Sequence, residues 1–232
     1  APTLLIQGER DTLFGLDQAD ATAREIAANG TPVEVRWFNG GHDGNANWAD
    51  STVRAWLRNT LQDNDPGDAP FNFAIQGTPN EDGSVPSRRM SAPGYPGLGE
   101  NAAVTRSALD LAAQAPGPQT IIRPPGASPA AVSSVPGLGS SVSAALSVAV
   151  LDVGLDPPGQ SATFRTTDLA EPLTIVGSPN VDLRVHSFAA PGDAVLFVKL
   201  YDVSSQGRRL LPGGAVAAVR LPDAAEPVEV RV

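Results

Sequence analysis

Two strand-like runs, residues 3–7 and 33–38, are separated by a single helical pattern, and that order constrains the chain more than any other feature. The first run is short, apolar along its length and ended by Gly8, as expected of a strand covered on both faces in a parallel sheet. Between the runs, Ala19, Ala23, Ile26 and Ala27 recur at three- and four-residue spacing. Asp17 can cap the start of a helix over 17–29, and Gly30 supplies its stop. Two strands joined by one helix run parallel through a right-handed crossover, so the loops after both open on one rim of the sheet. A second helix, over about 47–62, sets Val53, Trp56, Leu57 and Leu61 on a stripe that closes the sheet. The first strand is already under way at residue 1, with no cap or loop before it, which predicts a longer parent chain.

The rim defined by those two strands carries the chemistry. Gly8-Glu9-Arg10-Asp11 follows the first strand, and Asn39-Gly40-Gly41-His42-Asp43-Gly44 follows the second. In open α/β sheets the functional crevice lies outside the carboxyl ends of the strands, which makes Asp11 and His42 candidates for one hydrogen-bonded acid–base pair. In such a pair the carboxylate holds the imidazole in one tautomer and stabilises the imidazolium, while the imidazole takes a proton from a hydroxyl nucleophile. The glycines around His42 let a tight loop aim the ring. Taken singly, an aspartate such as Asp11 after a strand is usually a turn or cap residue, and it is the pairing with His42 that favours the acid role; Glu9 is the alternative acid. Asp43 reads as a helix cap or a solvated loop residue, and Asp17 and Asp20 as helix N-terminal charges.

The string Leu4-Leu5-Ile6-Gln7-Gly8-Glu9-Arg10-Asp11, then a helix, a strand and Gly41-His42, resembles the acid-loop and histidine-loop section that ends an α/β-hydrolase. That resemblance implies a chain order of Ser, then Asp or Glu, then His, so this segment would retain the last two triad members and lack the first. No Gly-x-Ser-x-Gly occurs, and Gly137-Leu138-Gly139-Ser140-Ser141 lies in a loop-like stretch rather than between a strand and a helix.

Residues 63–70 hold turn formers without apolar spacing and read as a linker between an α/β part, 1–62, and a β part, 71–232. In the second part, strands are expected at 71–76, 162–165, 173–176, 181–185, 194–203, 215–221 and 228–232, with brief ordered pieces near 107–112 and 119–123. Val181, Leu183 and Val185 alternate with Asp182, Arg184 and His186, which places His186 on a polar strand face. Pro172-Leu173-Thr174-Ile175-Val176-Gly177-Ser178-Pro179, then 181–185, Leu200-Tyr201-Asp202-Val203, Gly207 and Gly213-Gly214, is similar to the C-terminal domain of X-Pro dipeptidyl-peptidases and cocaine-esterase-like hydrolases. The likeness implies a jelly-roll-like sandwich, in the order along the chain that the family shows. The expected fold class is therefore an α/β remnant, the last βαβα unit of an α/β-hydrolase, plus an all-β jelly-roll-like sandwich that stops short of the family's last strands.

Composition excludes several partners. With 16 basic and 25 acidic side chains the net charge is −9, which works against nucleic acid and anionic lipid. There is no cysteine, so disulfides, thiolate nucleophiles and cysteine-based metal sites are out, while the compartment stays open. Asn80-Glu81-Asp82-Gly83 lacks the alternating oxygens of a calcium loop, and the only lysine, Lys199, sits in a strand rather than a phosphate loop. Neither a cofactor nor a metal is expected, and no apolar run is long enough to span a membrane.

The reading that follows is a segment of a serine hydrolase acting on an ester or peptide bond, inert alone, whose first partner is the missing N-terminal part of its own hydrolase domain. The rival reading is a non-catalytic module. It could bind carbohydrate, although all three tryptophans lie in the α/β part. It could equally serve as a scaffold in a larger chain, for example one fused to a transport ATPase. An uncovered edge and face of a two-stranded sheet predict dimerisation, or packing of the sandwich against that face.

Overall fold

The computed structural model describes residues 1–11, 13–42, 46–63, 70–77, 86–98, 104–113, 117–124, 156–188, 194–205, 207, 209–210, 216–221 and 224–232. Its first part contains β1 (Thr3–Gly8), α1 (Leu16–Ala28), β2 (Val33–Phe38) and α2 (Ala46–Arg58), the last continued by one π turn at Asn59–Asp63. β1 and β2 pair in parallel, with Thr3 opposite Val33 and Gly8 opposite Phe38, so the two strands end side by side.

Helix α1 starts one residue earlier than its apolar spacing predicts. Its N-cap is Gly15, which makes no side-chain cap bond, and Asp17 stands in the first turn instead of capping it. The buried stripe runs through Leu16, Ala19, Asp20, Ala23 and Ile26, while Ala27 faces out. Asp20 is thus not a solvated helix-end charge: it is 2% exposed, in the middle of the packing face. In α2 the expected stripe narrows to Val53 and Trp56, with Leu57 and Leu61 exposed; the π turn displaces the helical register at Leu61, beyond the end of the α-helix.

The core is formed by Ala23, Val35, Trp37 and Phe71, with Leu5, Leu16, Val33, Phe73, Ala92, Tyr95 and Leu98 packed against it. Phe71 opens β3 (Phe71–Gln76), which forms an antiparallel hairpin with β4 (Ser87–Ala92) in the register Phe71 opposite Ala92 to Gln76 opposite Ser87. The hairpin lies beside β2 without joining its sheet. Trp37 meets the Phe71 ring at 5.0 Å and the Tyr95 ring at 5.7 Å, both edge-on.

Beyond the hairpin the regular elements among the described residues are short strands in antiparallel pairs, joined by irregular segments. They are β5 (Ala112–Ala113) with β6 (Phe164–Arg165), β7 (Asp182–Val185) with β12 (Val228–Arg231), β8 (Val195–Lys199) with β11 (Val216–Arg220), and β9 (Asp202–Val203) with β10 (Arg209–Leu210). β7 follows its alternation: Leu183 and Val185 turn inward, while Asp182, Arg184 and the neighbouring His186 face out. Residues 173–176 form no strand, and Leu173, Ile175 and Val176 are exposed; the run has no two-residue period and stands between Pro172 and a left-handed Gly177. The stretch 194–203 breaks into β8 and β9 at Leu200-Tyr201, where side chains on either side of the break converge on one carboxylate. Lys199 Nζ lies 2.8 Å from Asp156 Oδ1, and the Tyr201 hydroxyl donates to Asp156 Oδ2 at 2.8 Å. Residues 119–123 are not a strand either; the Gln119 amide instead donates to Thr163 O at 2.9 Å and accepts from Thr163 N at 3.1 Å, standing in for a neighbouring strand. Asp43, the 80–83 turn, the 137–141 serine cluster and Gly213-Gly214 lie outside the described residues. Among the described residues no helix is long and apolar enough to cross a membrane.

Candidate functional site

Because β1 and β2 end in register, the turns that follow are stitched together by main chain. Glu9 N donates to Phe38 O and Arg10 N to Gly40 O, each at 2.9 Å, and Asp11 N closes the acid turn on Gly8 O at 3.2 Å. The approach is close enough to require glycine at the strand end. A Cβ on Gly8 would stand 2.6 Å from Gly40 O and 2.9 Å from Gly41 O, both backbone atoms.

This stitching brings the two expected side chains together. Asp11 Oδ2 lies 3.1 Å from His42 Nδ1, with Asp11 6% and His42 39% exposed, so the carboxylate is enclosed and the imidazole reaches solvent. With its proton on Nδ1 the ring donates to the carboxylate, which leaves Nε2 as the basic nitrogen. Asp11 is held from several directions. The N–H groups of Leu13 and Phe14 both donate to Oδ1 at 2.9 Å, and Gln7 Nε2 donates to Oδ2 at 3.0 Å and to Phe14 O at 2.8 Å. Burial pushes the Asp11 carboxyl up, but the Phe14 N–H, the His42 ring, the Leu13 N–H and the Gln7 amide together outweigh it and hold the group below the usual aspartate value. The Phe14 ring packs on the imidazole at 5.3 Å between centroids.

Glu9, the alternative acid, points elsewhere. Its Oε1 accepts the Ala74 N–H of β3 at 2.7 Å. Its Oε2 is buried and has no hydrogen-bond partner among the described residues. Burial raises its carboxyl above the ordinary value, against the opposing pulls of the Ala74 N–H and the Arg10 charge. The supporting roles of Gln7 and Phe14 had no sequence signal beyond adjacency to the acid loop.

The β-rich part has a counterpart among known families. Residues 140–226 match the family model of the X-Pro dipeptidyl-peptidase C-terminal non-catalytic domain. The strands β6 to β11 fall inside that span, as does the Asp156, Lys199 and Tyr201 cluster. The likeness expected of the second half is supported there, for an X-Pro dipeptidyl-peptidase C-terminal domain that by its own description does no catalysis. No curated protein and no solved structure matches the chain.

Proposed function

We propose that this chain is the C-terminal segment of a serine hydrolase of the α/β-hydrolase fold: residues 1–62 end its catalytic domain, and the β-rich remainder is a jelly-roll-like sandwich of the X-Pro dipeptidyl-peptidase kind. The single observation that carries the reading is the 3.1 Å contact between Asp11 and His42, presented by adjacent parallel strands at one rim of their sheet. The presence of the X-Pro dipeptidyl-peptidase C-terminal domain match after this unit supports the same order.

In this reading the nucleophile is a serine outside these residues, delivered by the part of the sheet that would extend from β1. Its hydroxyl proton passes to His42 Nε2 as the oxygen attacks an ester or peptide carbonyl. The proton then passes to the departing alcohol or amine, leaving an acyl-enzyme, and water repeats the cycle. Asp11 keeps its bond to Nδ1–H throughout and offsets the transient imidazolium charge. The lowered Asp11 carboxyl suits that task, since the group is ionised at neutral pH. The sandwich would take no direct part in bond making.

The test is reconstitution. The chain alone is expected neither to turn over activated esters nor to be labelled by a serine-directed phosphonate. Joined to the upstream part of its hydrolase domain it should do both, and His42→Ala should abolish turnover. Labelling of the isolated chain, or full turnover by the His42→Ala form of the joined protein, would refute the proposal.

A further inference from the structure

We propose that Glu9 is a positioning residue: by accepting the Ala74 amide of β3, its carboxylate lets the β3–β4 hairpin fix the acid turn in the orientation that pairs Asp11 with His42. The inference rests on the dyad reading given under Proposed function and adds to it a route by which the second part of the chain acts on the site. Glu9 stands two residues before Asp11 and meets three elements at once. Its main chain belongs to the acid turn, its N–H donates to Phe38 O at the end of β2, and its side chain reaches β3. The hairpin is itself seated on β2 by the Phe71 and Trp37 rings. Acid strand, histidine strand and hairpin therefore form a closed circuit, in which Glu9 supplies the polar link between the acid turn and β3, beside the 2.8 Å bond from Asn39 Nδ2 to Ser87 Oγ that ties the histidine loop to β4.

The energetics favour a positional role over a solvating one. A glutamate in a surface turn ordinarily puts both oxygens in water; here one oxygen is buried with no partner among the described residues, and the other accepts a 2.7 Å backbone bond. Burial of an unpaired polar atom is unfavourable, so the rest of the circuit holds the side chain in place. The raised carboxyl is the expected mark of that enclosure. Ala74 lies directly across the hairpin from Arg89, so the bond ties the acid turn to the paired part of the ladder rather than to a fraying end.

The experiment uses the whole chain with 15N-labelled histidine, reading the His42 tautomer from long-range proton–nitrogen spectra above the imidazole titration range. In the wild type, bonding to Asp11 should make the Nδ1-protonated form the majority, whereas a free imidazole favours Nε2–H. Glu9→Met keeps the aliphatic stem and drops both oxygens, and should turn the Nδ1-protonated form into a minority. Glu9→Gln keeps an acceptor for the Ala74 amide and should restore the majority. Should the methionine form fail to fold, Glu9→Ala is measured in the same way. An unchanged tautomer ratio on loss of the Glu9 acceptor, while Asp11→Ala shifts it, overturns this inference alone. A ratio unmoved by Asp11→Ala overturns the dyad beneath it.

Discussion

The Tyr95 hydroxyl donates to the Asp20 carboxylate at 2.9 Å, joining the first helix to the segment that leaves the β3–β4 hairpin. The other partners of Asp20 are the Leu98 N–H at 2.8 Å and Arg24 Nε at 2.9 Å. One aspartate within an apolar helix face thus fastens two regions of the chain, and burial together with its negative charge drives the Tyr95 phenol well above its ordinary value.

Tyr95→Phe removes one charge-assisted bond and is expected to cost about 1.5–3 kcal/mol. The Asp20 carboxyl is pushed up by burial, yet the Leu98 N–H, Arg24 and Tyr95 bonds outweigh this and hold it below its ordinary 3.8. Its stabilisation is therefore complete above that ordinary value and is lost as pH falls through the lower folded-state value. Denaturant midpoints followed from neutral pH to about pH 2 should show this acid-side loss in the wild type and a smaller one in Asp20→Asn. Identical slopes would show that Asp20 contributes nothing to the acid limb.

Gly8→Ala is expected to open the candidate site. Its Cβ would meet two backbone oxygens of the histidine loop, and backbone cannot rotate away as a side chain can. The acid turn must move outward, at roughly 1–3 kcal/mol as for other overpacked positions. Amide shifts should change at Glu9, Arg10, Gly40 and Gly41 together, with loss of the Nδ1-protonated majority at His42. A thermal midpoint and histidine spectrum equal to wild type would mean the loops are looser than their spacing implies.

How much of this was legible beforehand varies with the physics of each element. β1 was legible as a short apolar run ended by a glycine and β2 as an alternation of Val33, Val35 and Trp37 with Glu34 and Arg36, and with one helix between them the shared rim followed. The Asp11 and His42 contact was legible for the same reason, since strand ends in register deliver their next residues to one place. β4 was not, because Ser87-Arg88-Arg89-Met90-Ser91-Ala92 has no apolar alternation of its own and owes its conformation to β3. The role of Asp20 was visible only in part: it stands four residues after Leu16 and three before Ala23, on the buried stripe, but of its partners only Arg24 is local, and Tyr95 and Leu98 lie 75 and 78 residues away. Glu9 shares that limit, since Ala74 is 65 residues distant and nothing local announces it.

The Trp37 and Phe71 contact crosses the linker expected at 63–70, which predicts that the βαβα unit and the hairpin unfold together. Phe71 is 3% exposed, so Phe71→Ala should cost about 3–5 kcal/mol. Hydrogen exchange gives the sharper test. Amides of β2 and of β3 should lose protection to the same extent in the variant. Loss confined to the hairpin would show that the two pack without sharing stability.

The Lys199, Asp156 and Tyr201 cluster predicts an asymmetry between its members. Lys199 is 8% exposed and Asp156 14%, so the ammonium and carboxylate are largely withdrawn from water. An ion pair so placed gains much of its Coulomb energy only to offset desolvation, and the two single deletions then differ. Asp156→Ala leaves an enclosed ammonium and a tyrosine hydroxyl without that carboxylate, which should cost about 3–5 kcal/mol. Lys199→Met removes the cation and keeps its aliphatic stem, with the Tyr201 hydroxyl still donating to the carboxylate, and should cost less. Adding Lys199→Met to Asp156→Ala should then recover part of the loss, because the charge left behind is gone. Denaturant midpoints of the two single variants and the double variant decide the matter. Equal costs that simply add would mean that water reaches the ammonium, and that the break between β8 and β9 is held by Tyr201 rather than by the ion pair.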